Sequence, residues 1–155
     1  WRKNKIPKRK YWLQVKKDLN LPESISSLEK MWFQQYKPID EVKNLIDELH
    51  PKYKLAYISN NMRERISYLE KNYNFSRWFD DGICSYEVGA LKSDIRLYQA
   101  LLEHFPKIPP NQFLFIDDNE ENHTYPEKLG CEFLPFTNIE NLRQSLRKKS
   151  ILPVR

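Results

Sequence analysis

Glycine is scarce in this sequence, with only three residues among 155. Phosphate-binding loops such as G-x-G-x-x-G and the P-loop need several glycines at fixed spacing, and neither pattern occurs. The chain has two cysteines, Cys84 and Cys131, which lie in short apolar runs without a C-x-x-C pair or clustered histidines. This arrangement predicts buried, reduced thiols in an intracellular protein rather than a disulfide or a zinc site.

Long hydrophobic runs are also absent. No stretch approaches the roughly 18 apolar residues that a membrane span needs, and nothing resembles a signal peptide, so we expect a cytoplasmic protein. Hydrophobic residues make up 40% of the sequence and aromatic residues 14%. This composition suffices for the core of one folded domain and argues against disorder.

Acidic residues are missing from residues 1–17, which hold eight Lys or Arg residues. The formal net charge of +5 is therefore local, because the rest of the chain carries a small excess of acids. A basic arm that also contains Trp1, Tyr11 and Trp12 could bind nucleic acid or an acidic partner. We favour a solvated helix face beside a phosphate-binding site over a nucleic-acid role.

From residue 55 onward, short apolar runs alternate with helical patterns. Strand followed by helix, four times over, predicts a doubly wound parallel α/β sheet, and three earlier helices form a separate helical piece whose apolar faces include Leu19 and Met31. Asn60 or Asn61 is expected to cap the helix after the first strand, and residues 86–91 are expected to form a loop. The predicted strands are 55–58, 82–85, 112–116 and 131–136, and the predicted helices are 10–19, 28–36, 39–49, 62–71, 93–104, 125–129 and 139–148.

Three polar groups occupy the positions where such a sheet presents its ligand-binding edge: Ser59 after the first strand, Lys92 before a helix, and the pair Asp117-Asp118 after the most apolar strand. Adjacent carboxylates suit a hard cation such as Mg²⁺. A lysine ammonium and a serine hydroxyl beside helix N–H groups suit a phosphoryl group. Taken together they predict a phosphate-binding, Mg²⁺-dependent site. Taken singly, each residue could equally be a cap or a surface charge.

Three segments resemble sequence motifs of the haloacid dehalogenase-like (HAD) hydrolases: Ile58-Ser59-Asn60, residues 88–94 (VGALKSD) and residues 115–122 (FIDDNEEN). The similarity is greatest to the subgroup with a small helical cap, which includes sugar-phosphate phosphatases and the phosphatase domain of epoxide hydrolases. The resemblance implies a HAD-like Rossmannoid core at residues 39–155, preceded by part of a helical cap at residues 1–38. Two departures from the family pattern are Ser93, where Pro usually follows the lysine, and Pro126, in a helix that usually has a small residue there.

The resemblance also implies a role for each matching residue. Ser59, assisted by Asn60, would bind a phosphoryl oxygen, and Lys92 would stabilise the phosphorylated intermediate and order the nucleophile. Asp118 would be a Mg²⁺ ligand, with Asp117 coordinating directly or through water. Asn122 would orient the loop.

One element of the family pattern has no counterpart here. Family members attack phosphorus with an aspartate in an Asp-x-Asp motif at the end of a first strand. The only acid before Glu23 is Asp18, which lies in a helical pattern with no apolar strand leading into it. The nucleophile and the first strand, which in the family lies between the strands of Leu55 and Phe113, are therefore expected outside these 155 residues, through truncation, cleavage or an incomplete gene record.

The leading hypothesis is a Mg²⁺-dependent phosphatase of a small phosphorylated metabolite, inactive without its first strand. Dehalogenase activity is disfavoured because it has no use for an Asp pair suited to Mg²⁺. A second hypothesis is a non-catalytic HAD-like binding or assembly module with a basic amino-terminal arm. A third is a chain whose missing strand comes from a partner chain, and homo-oligomerisation is left open.

Overall fold

The computed structural model describes residues 2–3 and 5–153. Helices and strands follow one another in the predicted order. Short 3-10 turns lie at Phe75–Trp78, Pro110–Gln112 and Glu120–His123. The elements are α1 (Lys8–Asp18), α2 (Ile25–Phe33), α3 (Asp40–Leu49), β1 (Ala56–Ser59), α4 (Arg63–Tyr73), β2 (Asp81–Cys84), α5 (Ser85–Val88), α6 (Ile95–Glu103), β3 (Leu114–Asp117), α7 (Thr124–Lys128), β4 (Glu132–Pro135) and α8 (Ile139–Lys148).

The four strands form two separate parallel pairs. β1 pairs with β2, with Ser59 opposite Cys84, and β3 pairs with β4, with Asp117 opposite Pro135. In the described residues no ladder joins β1 to β3. We call these two pairs the half-sheets.

Apolar side chains pack on both faces of the half-sheets. Leu114 belongs to a cluster with α3 and α8, whereas its neighbour Phe115 belongs to a cluster with α6. This split follows from the alternation of side chains along a strand. Helices therefore cover both faces, and the predicted doubly wound parallel α/β architecture is confirmed. The buried helix residues of the two clusters are Leu45, Leu49, Leu142 and Leu146 on one face and Leu97, Tyr98 and Leu101 on the other.

Helices α1 and α2 pack together around Trp12, which is buried and whose indole N–H donates to Glu29 Oε1 at 2.9 Å. Ser24 caps α2, because its Oγ accepts a hydrogen bond from the Ser27 amide at 3.1 Å. Leu19 and Met31 were predicted to lie on the apolar, packed faces of these helices. That prediction was wrong, since the two residues are 66% and 55% exposed. Leu19 lies just past the end of α1, and α2 buries Leu28 and Phe33 rather than the face that carries Met31.

Arg65, which lies on α4, joins this helix to α2 and the residues that follow it. Its side chain is buried, with the guanidinium carbon 4.2 Å from the ring centroid of Trp32 and 3.9 Å from that of Tyr36. A cation enclosed by two aromatic faces is attracted by both ring quadrupoles. The desolvation of the guanidinium lowers the pKa of Arg65 from its ordinary value, with the neighbouring Arg2 acting in the same direction.

Three local predictions were wrong. Neither Asn60 nor Asn61 caps α4: the N-cap residue is Met62 without a side-chain cap, because both asparagines make other hydrogen bonds. Residues 86–91 are not all loop, since α5 is stabilised where the Cys84 amide donates to Glu87 Oε2 at 2.6 Å. The apolar run at residues 55–58 predicts a buried strand, but β1 is only half-buried, because one of its edges borders an open groove.

The described residues contain no helix with the length and apolar character that a bilayer crossing requires.

Candidate active site

Polar residues from three distant segments meet at the carboxyl ends of β1 and β3. Ser59 ends β1, Asp117 ends β3, and Lys92 lies in the turn between α5 and α6. The Lys92 amide donates to Asn60 Oδ1 at 2.7 Å, and the Lys92 ammonium contacts the Asp117 carboxylate. The structure therefore brings these predicted residues to one edge, where open α/β sheets bind ligands.

The ion pair of Lys92 and Asp117 is largely withdrawn from solvent, with side-chain exposures of 17% and 7%. Opposite charges attract more strongly in the low-dielectric interior of a protein than in water, but burial also costs each charged group part of its hydration. Because Lys92 contacts Asn60 on one side and Asp117 on the other, it links the two half-sheets at their carboxyl ends.

Asp117 is held by two further donors. Its Oδ1 accepts hydrogen bonds from the Asn119 amide at 2.9 Å and from Asn122 Nδ2 at 3.1 Å. Burial by itself raises the pKa of Asp117, but the hydrogen bonds from Lys92, Asn119 and Asn122 outweigh it and hold the pKa below its ordinary value. The Tyr98 hydroxyl donates to the Asn122 carbonyl at 3.3 Å, which fixes the loop below the carboxylate.

Asp118 is exposed and lies beside Asp117. Mg²⁺ is usually held by one or two carboxylates together with waters and phosphate oxygens, so this pair of acids fits the ion. Asp117 Oδ2 contacts Lys92 and, as a carboxylate oxygen, keeps another lone pair for a metal or a water. Across residues 2–3 and 5–153 there is no denser group of three or more His, Cys, Asp or Glu side chains suited to a metal.

A cavity of about 730 Å³ lies between the half-sheets. We call it the inter-sheet groove. Lys92, Asp117 and Asp118 lie at its carboxyl end, and Lys52 and Lys54, which precede β1, lie at its amino end. Its sides are formed by β1 and β3, and α3 and α6 contribute apolar side chains above and below.

The basic arm is folded onto the protein from residue 8 onward. Lys8 makes an ion pair with Glu29 at 3.2 Å, and the Trp12 ring lies edge-on to Trp32 at a centroid distance of 5.6 Å. Trp12 is thus used within the fold instead of presenting a face to nucleic-acid bases. Trp1 lies outside the described residues.

The sequence reasoning missed the part played by two asparagines. The Asn119 backbone amide donates a hydrogen bond to Asp117 Oδ1. The side-chain Oδ1 of Asn119 accepts a hydrogen bond from the Glu121 amide at 3.1 Å. Asn60 uses its side chain to orient the Lys92 backbone. The signal for Asn119 was available, because asparagine after a strand favours such side-chain turns. The contact of Asn60 spans 32 residues of sequence and had no local signal.

A family model described as haloacid dehalogenase-like hydrolase matches residues 5–135 of the chain. No curated protein matches this chain.

Several solved structures share the fold. A predicted HAD-like family hydrolase from Porphyromonas gingivalis superposes with a TM-score of 0.77 at 18% identity, over 96% of this chain and 76% of that one. The HAD family enzyme bt-2542 from Bacteroides thetaiotaomicron, in complex with magnesium and inorganic phosphate, gives 0.75 at 21% identity, over 86% and 71%. The L-2-haloacid dehalogenase from Xanthobacter autotrophicus gives 0.63 at 24% identity, over 88% and 56%.

Proposed function

This chain belongs to the haloacid dehalogenase-like hydrolases, and from that premise we propose that it is the larger part of a Mg²⁺-dependent phosphatase that acts on a small phosphate monoester. The observation that carries the proposal is the meeting of Ser59, Lys92 and Asp117 at one edge of the fold, through the contacts of Lys92 with Asn60 and Asp117. The magnesium and phosphate bound by the Bacteroides enzyme support a phosphatase over a dehalogenase.

Each residue has a role that its position allows. Ser59, with Asn60 beside it, binds a phosphoryl oxygen at the end of β1, where the following helix α4 begins. Lys92 neutralises charge on the transferring phosphoryl group. Asn122 holds the Asp117 carboxylate in place through its hydrogen bond to Oδ1.

Asp117 and Asp118 are the residues that would hold Mg²⁺. When bound there, the ion would supply positive charge that polarises the phosphoryl oxygens. The Lys92 ammonium already neutralises Asp117, so Asp118 contributes the accessible negative charge of the pair.

The nucleophile is not among the residues described above. We propose that it is an aspartate at the end of an apolar strand outside residues 1–155, and that this chain alone does not turn over substrate. The coding DNA upstream of Trp1 is expected to encode a short apolar run ending in Asp-x-Asp. An upstream sequence without such a run would contradict this part of the proposal.

The decisive experiment has a readout besides activity. Calorimetric titration of the 155-residue chain with inorganic phosphate is expected to show binding that needs Mg²⁺ and that is lost in Asp118→Asn. The matched control is Asp47→Asn, which changes an exposed acid paired with Lys43 on α3. For a form that includes the nucleophile, turnover of p-nitrophenyl phosphate that persists in Asp118→Asn or in excess chelator would overturn the metal assignment.

The cytoplasm is part of the proposal. Cys84 and Cys131 are both buried and free, and a reducing compartment keeps such thiols unpaired. Burial, reinforced by the nearby Glu87, raises the pKa of Cys84 to about 12, so this thiol is protonated and unreactive at neutral pH.

A further inference from the structure

The β2 side of the proposed phosphate site brings an arginine and a tyrosine together. β1 ends at Ser59 and its partner β2 ends at Cys84, so α4 and α5 begin at the same edge of this half-sheet. Arg63 is the first residue of α4, and Tyr86 is the second residue of α5. The guanidinium carbon of Arg63 lies over the Tyr86 ring, 5.0 Å from its centroid. Both residues therefore belong to the edge of the fold that also holds Lys92.

Arg63 is exposed, and the ion pairs among the described residues do not include it. Burial, with the nearby Glu87 acting in the same direction, raises the pKa of Tyr86, so its ring is a neutral platform and not an anionic partner. A ring that lies against the face of a guanidinium leaves the N–H groups at its edge free. This planar fork matches two oxygens of a carboxylate or a phosphate. Tyr86 therefore orients Arg63 for an anion from outside the described chain.

Further positive charge comes from residues 2–3, which run along α5. The hydroxyl of Ser85, the first residue of α5, donates to the Arg2 carbonyl at 2.8 Å. The Lys3 carbonyl lies 3.8 Å from the position that a Cβ on Gly89 would take, and Gly89 follows the last residue of α5. Two more cations are thus anchored at the same edge. We call Arg2, Lys3 and Arg63 the cationic rim.

The cationic rim holds more positive charge than the acids beside it neutralise. Arg2 lies close enough to Arg65 that the two positive charges repel each other. Two of the neighbouring acids are already engaged: Glu87 Oε2 accepts a hydrogen bond from a backbone amide at 2.6 Å, and Asp94 Oδ2 accepts one from Arg96 at 2.6 Å. Like charges near one another disfavour their charged forms, and an opposite charge placed between them favours those forms. The rim is therefore suited to an anionic ligand.

We propose that the leaving group of the substrate carries a second anionic group, a carboxylate or a second phosphate, and that this group binds the Arg63 guanidinium. The inference rests on the proposed phosphatase function and narrows its substrate to small metabolites with negative charge at both ends. Arg63 follows Ser59 by four residues, which span at most about 14 Å, so one small metabolite can reach both. A nucleobase is disfavoured as the leaving group, because Arg63 already occupies the face of the Tyr86 ring.

The probes are two phosphate esters of similar size that differ in one end group. Phosphoglycolate carries a carboxylate where ethyl phosphate carries a methyl group. Calorimetric titration of the 155-residue chain with each ester, in the presence of Mg²⁺, is expected to show that phosphoglycolate binds about fivefold more tightly. Ethylene glycol bisphosphate offers a second phosphate instead of the carboxylate. Whichever of the two doubly anionic esters gives the larger gain over ethyl phosphate identifies the second anionic group.

Variants of Arg63 assign the gain to one side chain. Arg63→Met is expected to make the affinities for phosphoglycolate and ethyl phosphate equal and to leave the binding of inorganic phosphate unchanged. Arg63→Lys keeps the charge without the planar fork and should retain part of the gain. The matched control is Arg77→Met, which removes an exposed arginine beyond the other end of α4 and should leave the gain intact. Circular dichroism shows whether each variant remains folded, and the comparison of esters on the unaltered chain needs no variant.

Equal binding of ethyl phosphate and both doubly anionic esters to the unaltered chain would overturn the inference. A gain that persists in Arg63→Met would also overturn it, because the second anion would then bind elsewhere. Inorganic phosphate, which has no leaving group, tests the proposed phosphatase function separately. Mg²⁺-dependent phosphate binding without any gain for the doubly anionic esters refutes this inference alone, whereas absence of that phosphate binding refutes the proposed function and this inference with it.

Discussion

The Lys92 ammonium contacts the Asp117 carboxylate across the carboxyl end of the inter-sheet groove, and with its backbone amide on Asn60 it connects the two half-sheets. The same residues are the centre of the proposed phosphate site. A single ion pair thus serves both the architecture and the proposed chemistry, and its removal should affect both.

Lys92→Met is expected to lower the free energy of unfolding by about 3 kcal/mol, because it leaves the Asp117 carboxylate buried without its cation. The double variant Lys92→Met with Asp117→Asn should recover part of this loss, since the uncompensated charge is then gone. Urea denaturation measures each step. Lys43→Met, which breaks the exposed pair with Asp47, is the control and should change stability by less than about 0.5 kcal/mol. Equal losses in the single and double variants would contradict the buried-charge explanation.

Arg65→Ala is expected to destabilise the protein by about 2 kcal/mol, because it removes a cation enclosed by Trp32 and Tyr36 and the aliphatic stem packed with it. Thermal unfolding followed by tryptophan fluorescence reports the loss. The control is Arg63→Ala on the same helix, where the side chain is exposed and faces one ring, that of Tyr86, at 5.0 Å. A larger effect of Arg63→Ala than of Arg65→Ala would contradict the role given to Arg65.

Gly82→Ala is expected to cost about 1–3 kcal/mol through overpacking. Gly82 is the register partner of Tyr57, and an added Cβ would lie 2.2 Å from a ring carbon of Tyr57. The cost should fall when Tyr57 is replaced by Leu, since the ring is the obstacle. A double-mutant cycle from chemical denaturation tests this coupling, and additive effects would rule it out.

Asp80→Asn is expected to destabilise the protein at neutral pH by about 1 kcal/mol. Hydrogen bonds from Lys54 at 2.6 Å and from the Leu55 amide at 2.9 Å hold the pKa of Asp80 below its ordinary value. Because the folded-state pKa is the lower one, the stabilisation is present above about pH 4 and is lost as pH falls through the folded-state pKa.

The difference in the free energy of unfolding between wild type and Asp80→Asn should therefore shrink in acid. Chemical denaturation at neutral pH and below pH 4 measures this difference. Asp47→Asn is again the comparison, with an exposed partner on the same helix. A difference that is independent of pH would contradict the assigned cause.

The order of helices and strands could be predicted from the sequence, because the pattern of apolar residues that indicates each one lies within its own segment. Apolar runs that are too short for helices predicted β1 and β3, and amphipathic spacing predicted α3 and α8 within a residue or two. The motif residues Ser59 and Asp117 could likewise be placed at strand ends, and Lys92 before a helix. Local predictions were wrong where a contact with a distant segment decided the outcome. Asn60, for example, accepts a hydrogen bond from the Lys92 amide instead of capping α4.

The sequence by itself determined the parallel α/β class, the edge on which the polar residues lie and the family, because hydrophobic period and motif spacing are local properties. Only the tertiary structure decided that Asp117 rather than Asp118 pairs with Lys92, that Trp12 is used inside the fold, and that β1 and β3 face each other across an open groove. These outcomes depend on which distant segments approach one another, and contact between segments far apart in the chain leaves no period in the sequence.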